Sequence, residues 1–284
     1  MTSGIPIVEA AELVRTSRPL IHCITNIVTV NDCANVILAF GGSPVMAESP
    51  EEVAEFVALS NGLNINLGAT GAQILEADFI AGKRANELGV PVTFDPVGAG
   101  ASRLRNDFSA QLLKDVRLSA IRGNMSEMKA LATGVGDTKG VDVSSDDEIT
   151  EANWLEKGEA LKRFAASIGT VVAASGSIDV VTDGRVVCGV HNGSPKMAQI
   201  TGSGCMLTSV VCLWIAAARM GGGRISDFEA VVSAIATFGI CGEIAEKKTQ
   251  FKNGGLLTFR TELIDAASMI TLEEIGKYAK IEVV

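Results

Sequence analysis

The chain has 284 residues, of which 47% are hydrophobic and 20% charged, with a formal net charge of −9. That much apolar material builds a buried core and excludes disorder as the main state, and the acidic balance excludes a broad electrostatic footprint on nucleic acid or anionic lipid. Aromatic residues make up only 5%, too few for a base-stacking platform, so neither nucleic acid nor membrane is expected as a partner.

At the start, residues 1–12 show no basic segment followed by an apolar one, so no signal peptide is expected. Residues 19–25 read as a strand, 31–40 as a helix stopped by Gly41 and Gly42, and 43–46 as a short strand. Pro50 with Glu51 and Glu52 is read as a helix start. Residues 63–68 read as a strand running into a glycine turn, followed by a helix to Leu88 that Gly89 caps. Residues 90–95 form a strand entering Pro96-Val97-Gly98-Ala99-Gly100, with a helix over 103–115, a strand over 119–122 and a helix over 124–132. Segment 134–153 is polar and reads as a surface loop, its Asp146-Asp147-Glu148 as a solvated run rather than a metal site. A helix over 154–168 is followed by strands at 170–174, 178–182 and 186–191, the last two joined by an Asp183-Gly184 hairpin turn. Helices are expected over 202–220, 226–247 and 256–276.

This rhythm predicts an α/β fold, a mostly parallel central sheet with helices on both faces. With no internal repeat or linker, residues 1–284 are read as one domain. The apolar run 206–220 is shorter than the about 20 residues of a membrane span and carries Thr208 and Ser209, so it is read as core. The six cysteines are scattered without a CxxC pair, which fits a reducing cytoplasm.

Three segments can carry chemistry. In Thr201-Gly202-Ser203-Gly204-Cys205 the glycines let backbone approach a ligand, and the helix that follows offers free N–H groups and a positive dipole end. Residues 202–205 are thus a candidate anion hole, the alternative being a tight helix start. The segment is neither a P-loop nor the dinucleotide fingerprint, since Leu207 stands where GxGxxG needs glycine. Cys205 sits in the first helical turn, where the dipole favours its thiolate. Asp95 ends a parallel strand, at the edge where α/β folds bind ligands. Arg122-Gly123-Asn124-Met125-Ser126-Glu127 follows the next strand. Asp95 and Glu127 can hold Mg²⁺ for a nucleotide phosphate, and Arg122 can pair with that phosphate. Asn124 with Glu127 also reads as a capping box. His22 and His191 are read as structural or pocket-lining, with no histidine metal site.

Further segments join these in order along the chain: Ile21-His22-Cys23-Ile24-Thr25-Asn26 with Asn31-Asp32, Gly41-Gly42-Ser43-Pro44-Val45-Met46, Leu63-Asn64-Ile65-Asn66-Leu67-Gly68, and Ser175-Gly176 with Asp179. Together they resemble the hydroxyethylthiazole kinases of thiamine biosynthesis, within the ribokinase-like superfamily. Most of that superfamily carries Asp where Cys205 stands, and cysteine sets the thiazole kinases apart. The departures are Ser203, where Thr or Ala is commoner, and Ser175, where Thr is common; both keep a small side chain.

The resemblance implies a ribokinase-like fold and ATP-dependent phosphorylation of the hydroxyl of 4-methyl-5-(2-hydroxyethyl)thiazole. By carry-over, Arg122 and Ser175 contact ATP, Asp95 and Glu127 organise Mg²⁺, and Met46 and Gly202 contact the thiazole, with Asn26 lining its pocket. It also implies a homotrimer with substrate sites between subunits. Cys205 is the candidate for accepting or positioning the substrate's hydroxyl proton, although a thiol of pKa about 8.5 is a poor acceptor unless the helix terminus lowers it. Three rivals remain: a kinase for the hydroxymethylpyrimidine half of thiamine, an ATP-dependent hydrate dehydratase, which would carry Asp in place of Cys205, and a non-catalytic thiazole- or nucleotide-binding regulator.

Overall fold

Short apolar runs form the strands, and glycine and small polar residues between them set where helices begin and end. The computed structural model describes residues 4–134 and 147–284. Among them, β1 (Leu20–Ile24), β2 (Ser43–Val45), β3 (Gly62–Asn66), β4 (Val92–Asp95), β5 (Ala120–Asn124) and β6 (Val171–Ser175) pair in parallel. β7 (Asp179–Thr182), β8 (Val187–Val190) and β9 (Ile281–Val283) add antiparallel. The sheet order is β2-β1-β3-β4-β5-β6-β7-β8-β9.

Helices cover both faces, as the alternating pattern requires. On one side lie α3 (Val53–Leu59), α4 (Ala72–Leu88), α5 (Arg103–Asp115), α6 (Met125–Thr133) and α7 (Trp154–Ile168), which pack on Leu63, Ile65, Phe94 and Ile121 of the strands. On the other lie α1 (Ile7–Ser17), α2 (Val30–Ala39), α8 (Ser203–Met220), α9 (Asp227–Phe251), α10 (Leu256–Met269) and α11 (Leu272–Tyr278). By length and composition, α8 and α9 are apolar enough to cross a membrane. Here they are buried between the sheet and their neighbours, and Trp214 of α8 meets Phe40 edge-on at 4.9 Å.

Several expectations change. Residues 256–276 are two helices rather than one, because Ile270 is extended (ψ 132°) and Thr271 opens α11 with a capping box to Glu274. Pro50 precedes α3 instead of starting it. α9 runs beyond the expected Lys247, to Phe251. Helix α1 and strand β9 were not anticipated. Most of segment 134–153, with Asp146, lies outside the described residues. Asp147, expected in solvent, is buried: its Oδ2 accepts from Ser126 Oγ at 2.9 Å, and it pairs with Lys129 at 3.4 Å. Glu148 is exposed.

The register brings the site together. Asn66 stands opposite Asp95, and Asn124 opposite Ser175, so the segments named from sequence share the carboxyl edge of the parallel strands.

Candidate active site

Alternation along β3 and β4 turns Asn64, Asn66, Thr93 and Asp95 towards α8, while Leu63, Ile65, Val92 and Phe94 face the opposite core. A buried polar seam therefore runs beneath α8 and opens at its N-terminus. Gly202 precedes that helix at φ 83°, a left-handed conformation that disfavours a side chain. A Cβ there would lie 2.6 Å from Thr29 Cγ2.

Arg122 reaches the same terminus. A Cβ on Gly204 would lie 2.5 Å from Arg122 Nη1, so the missing side chain makes room for a guanidinium. Arg122 donates to Ser175 Oγ from Nη2 at 2.6 Å, and its Nε lies 3.2 Å from the same oxygen. An arginine held by a neutral hydroxyl against the positive end of a helix is a candidate anion site, its charge shared with the nearby Asp179 and Asp95 carboxyls. Asp179, beside Ser175, accepts from the Gly176 N–H at 3.0 Å; desolvation pushes its carboxyl up to about 6, against the pull of Arg122.

Asp95 is buried, and its Oδ2 accepts from Asn66 Nδ2 at 3.0 Å and Thr208 Oγ1 at 2.8 Å. Burial raises its pKa, while Arg122 and the two hydrogen bonds act in the opposite direction. Glu127 is also buried; Oε1 accepts from the Gly98 N–H and Oε2 from the Asn124 N–H, both at 2.8 Å. Asn124 Oδ1 returns the bond from the Glu127 N–H at 2.9 Å, so the capping box is present. It serves the site as well, since the same carboxylate ties α6 to the Gly98 loop. Burial, and then the Asp95 charge, push Glu127 up to about 7.

This donor set fits a hydrated divalent cation. Two buried carboxylates, both raised by desolvation and one of them also by the other's charge, are relieved by a positive ion. Each Glu127 oxygen already takes a backbone N–H, so the fit is through water rather than by a direct chelate. Among the described residues no group of three or more His, Cys, Asp and Glu is placed to bind a metal alone.

Cys205 lies in the first turn of α8. Asn26 Nδ2 donates to its Sγ at 3.6 Å and to Asn66 Oδ1 at 2.9 Å. Burial, and then the Asp95 charge, push the Cys205 thiol up to about 12. The direction is opposite to the expectation that the helix terminus favours the thiolate, its causes being desolvation first and the nearby carboxylate second. Met46 follows β2, partly buried, and does not join these contacts; its neighbour Ala47 accepts from His22 Nε2 at 2.8 Å, which makes His22 an anchor of that loop.

The glycines of these loops serve two ends. Gly98, Gly100 and Gly202 have left-handed φ, whereas Gly68 and Gly204 make room for protein side chains. Sequence reading quoted Asn66 within a resembling segment but gave it no role, and gave none to Thr208; both hold Asp95. It also missed Arg105, which donates from Nη1 to the carbonyls of Leu67 and Val97 and so clamps two edge loops. Asp32, buried beside Gly202, pairs with Arg260 of α10, whose Nε donates at 3.0 Å. Their roles were not legible locally, because their partners come from distant parts of the chain.

The sequence model of the Hydroxyethylthiazole kinase family matches residues 11–273. The chain belongs to the hydroxyethylthiazole kinase family. A hydroxyethylthiazole kinase of Methanobrevibacter smithii is 43% identical over 263 residues, 90% of this chain and 89% of that relative. The solved hydroxyethylthiazole kinase of Pyrococcus horikoshii OT3 superposes with a TM-score of 0.84 at 34% identity, covering 98% of both chains. The pyridoxal kinase of Staphylococcus aureus shares the fold alone, with a TM-score of 0.56 at 12% identity over 79% of this chain and 87% of that one. The fold is thus ribokinase-like, and this hydroxyethylthiazole kinase family member has ATP as its co-substrate. The family match spans every site segment described above, from Asn26 to Cys205.

Proposed function

We propose that this chain transfers the γ-phosphoryl group of ATP to the primary hydroxyl of 4-methyl-5-(2-hydroxyethyl)thiazole, a salvage step towards thiamine diphosphate. The observation that carries this reading is the meeting of Arg122, Ser175 and the α8 N-terminus with the Asn26–Cys205 pair along one sheet edge. Phosphoryl transfer asks for alignment and charge neutralisation more than covalent chemistry, and this edge supplies both. The N–H groups of residues 202–205 donate to the migrating phosphoryl oxygens, and Arg122 takes up charge at the γ-phosphate. Asp95 and Glu127 would hold Mg²⁺, which would supply further neutralisation of the phosphates. Met46 and Gly202 contact the thiazole ring, and Asn26 with Cys205 orients the hydroxyl for attack. With its thiol held protonated, Cys205 positions the hydroxyl rather than acting as base.

We also propose that residues 1–284 act as one catalytic unit, that the assembly is a homotrimer with sites between subunits, and that the enzyme works in the reducing cytoplasm. All six cysteines are free, which supports the last of these. The exposed Ile27 and Val28 beside Asn26 support a subunit boundary at the site.

The deciding assay is ADP release with the thiazole alcohol, set against the hydroxymethylpyrimidine and a no-substrate control. Thiazole-dependent ADP is the expected outcome. ADP dependent on the pyrimidine instead would favour the pyrimidine kinase reading, and no ADP at all a binding protein.

A further inference from the structure

We propose that Asn66 is a positioning residue that couples Asp95, on the phosphoryl side, to the Asn26–Cys205 pair on the acceptor side; this rests on the phosphotransfer reading above. Asn66 closes β3 and is fully buried at 0% exposure. Its Oδ1 accepts from the Gly68 N–H at 2.9 Å, and a backbone N–H can only donate, so the amide has one orientation. The NH₂ group therefore faces Asp95 Oδ2, at 3.0 Å. Asn26 is fixed in the same way: its Oδ1 accepts from the Val28 N–H at 3.1 Å, which turns its NH₂ towards Asn66 Oδ1 at 2.9 Å and Cys205 Sγ at 3.6 Å.

The result is a directed chain in which Asn26 donates to both Cys205 and Asn66, and Asn66 donates to Asp95. Thr208, one turn beyond Cys205 on α8, donates to the same Asp95 oxygen at 2.8 Å and closes the circuit. No other side chain of this size supplies both a donor for Asp95 and an acceptor for Asn26. Gly68 protects the junction, because a Cβ there would lie 2.5 Å from Asn26 Nδ2 and 2.8 Å from Asn66 Oδ1. Asn66 thus fixes the spacing between the groups that orient the phosphates and those that orient the attacking hydroxyl, and a misplacement of about 1 Å in such an alignment costs about 100-fold in rate.

One pair earlier on the strands, Asn64 provides an internal control. It faces α8 in the same way, with Nδ2 donating to Ser209 Oγ at 3.1 Å and Oδ1 accepting from Thr93 Oγ1 at 2.9 Å; its one link to the site is the Ser209 hydroxyl, which donates to the Cys205 backbone carbonyl at 3.0 Å and reaches no site side chain that Asn66 holds. The experiment compares Asn66→Ser with Asn64→Ser in the full-length chain supplied with ATP, Mg²⁺ and the thiazole alcohol. It reads kcat, KM for ATP, melting temperature and the ratio of ADP to thiazole phosphate. We expect Asn66→Ser to lower kcat by about 10- to 100-fold with little change in KM for ATP, and to release ADP in excess as water replaces the misaligned alcohol. Asn64→Ser should lower the melting temperature while keeping kcat near wild type and ADP equal to thiazole phosphate. If Asn66→Ser does not fold, Gly68→Ala, which wedges the same junction, should give the excess ADP. Wild-type kcat and matched products in Asn66→Ser, matched products in Gly68→Ala, or an equal kcat loss in Asn64→Ser would each overturn the coupling. A wild-type chain that makes no thiazole phosphate would overturn the phosphotransfer reading itself, and the coupling with it.

Discussion

Arg122 Nη2 donates to Ser175 Oγ at 2.6 Å, joining the end of β5 to the end of β6 across the candidate phosphate site. Ser175 carries no charge, so the bond aims the guanidinium without neutralising it. Arg122→Ala should raise KM for ATP by about 10- to 100-fold, the scale of one or two hydrogen bonds to a charged group. Ser175→Ala should raise it less, because the charge stays in place. Arg122→Lys should fall between the two, since an ammonium keeps the charge but loses the planar fork. Steady-state kinetics at saturating thiazole alcohol checks all three, and an unchanged KM for ATP in Arg122→Ala would remove Arg122 from the phosphate site.

Cys205 offers a sharper separation of roles. With its thiol pushed up to about 12 by burial and the Asp95 charge, it stays protonated throughout the neutral range. Iodoacetamide should therefore modify it far more slowly at pH 8 than an ordinary exposed thiol. Cys205→Ser should lose less than about a hundredfold in kcat, the range of positioning and modest acid–base effects, and Cys205→Asp should stay active. A wild-type kcat that rises with thiol ionisation between pH 7 and 9, together with no turnover in Cys205→Ser, would make the thiolate a base after all.

Where sequence reading succeeded, the signal was local. Helices α5 and α7 have the bounds expected over 103–115 and 154–168; Ser102 caps α5 by accepting from the Arg105 N–H, and Gly169, in the left-handed region, ends α7. The sheet edge was legible for a similar reason: each parallel strand hands its last residue to the loop that follows. Nothing local separates Asn66 from Asn64, however. Both read as polar positions of one strand, and only the arrival of α8, from more than a hundred residues later, makes one a site residue and the other a packing residue. The break between α10 and α11 was visible as Thr271 three residues before Glu274, a capping-box signature hidden within continuous apolar periodicity. β9 has only three residues and exists through its pairing with β8, a contact that no local pattern encodes.

Glu127 joins two roles that substitution can tease apart. Both its oxygens accept backbone N–H groups, from Gly98 and from Asn124. Glu127→Gln keeps one oxygen but turns an NH₂ towards the other donor, so one buried N–H loses its acceptor, at about 1–3 kcal/mol. The melting temperature should fall by several degrees, and the Mg²⁺ concentration for half-maximal rate should rise, because a formal charge has left the cation site. Glu127→Asp keeps the charge but shortens the reach. It should lose the Gly98 bond while retaining more of the Mg²⁺ response than Glu127→Gln. Thermal melts and Mg²⁺ titrations of the two variants check this; an Mg²⁺ response that is unchanged in Glu127→Gln would confine Glu127 to capping.

Asp78 lies on the buried face of α4, at 0% exposure, with neither carboxyl oxygen partnered among the described residues. Burial alone raises its pKa well above the ordinary carboxylate value. A raised pKa means that the folded chain holds this proton more tightly than the unfolded chain. The associated stability is therefore fully present below the unfolded pKa and is lost as pH rises through the folded one. The wild type should thus lose stability with rising pH relative to Asp78→Asn, which cannot ionise. Asp78→Leu removes the unsatisfied group and should stabilise at neutral pH by about 1–3 kcal/mol, or roughly 2–10 °C in melting temperature, less any strain from the larger side chain. Urea unfolding of the three proteins at pH 5, 6.5 and 8 measures both effects. Parallel pH profiles for wild type and Asp78→Asn would mean that the carboxyl is satisfied in solution, and kcat should stay unchanged in every variant, since α4 contributes no side chain to the candidate site.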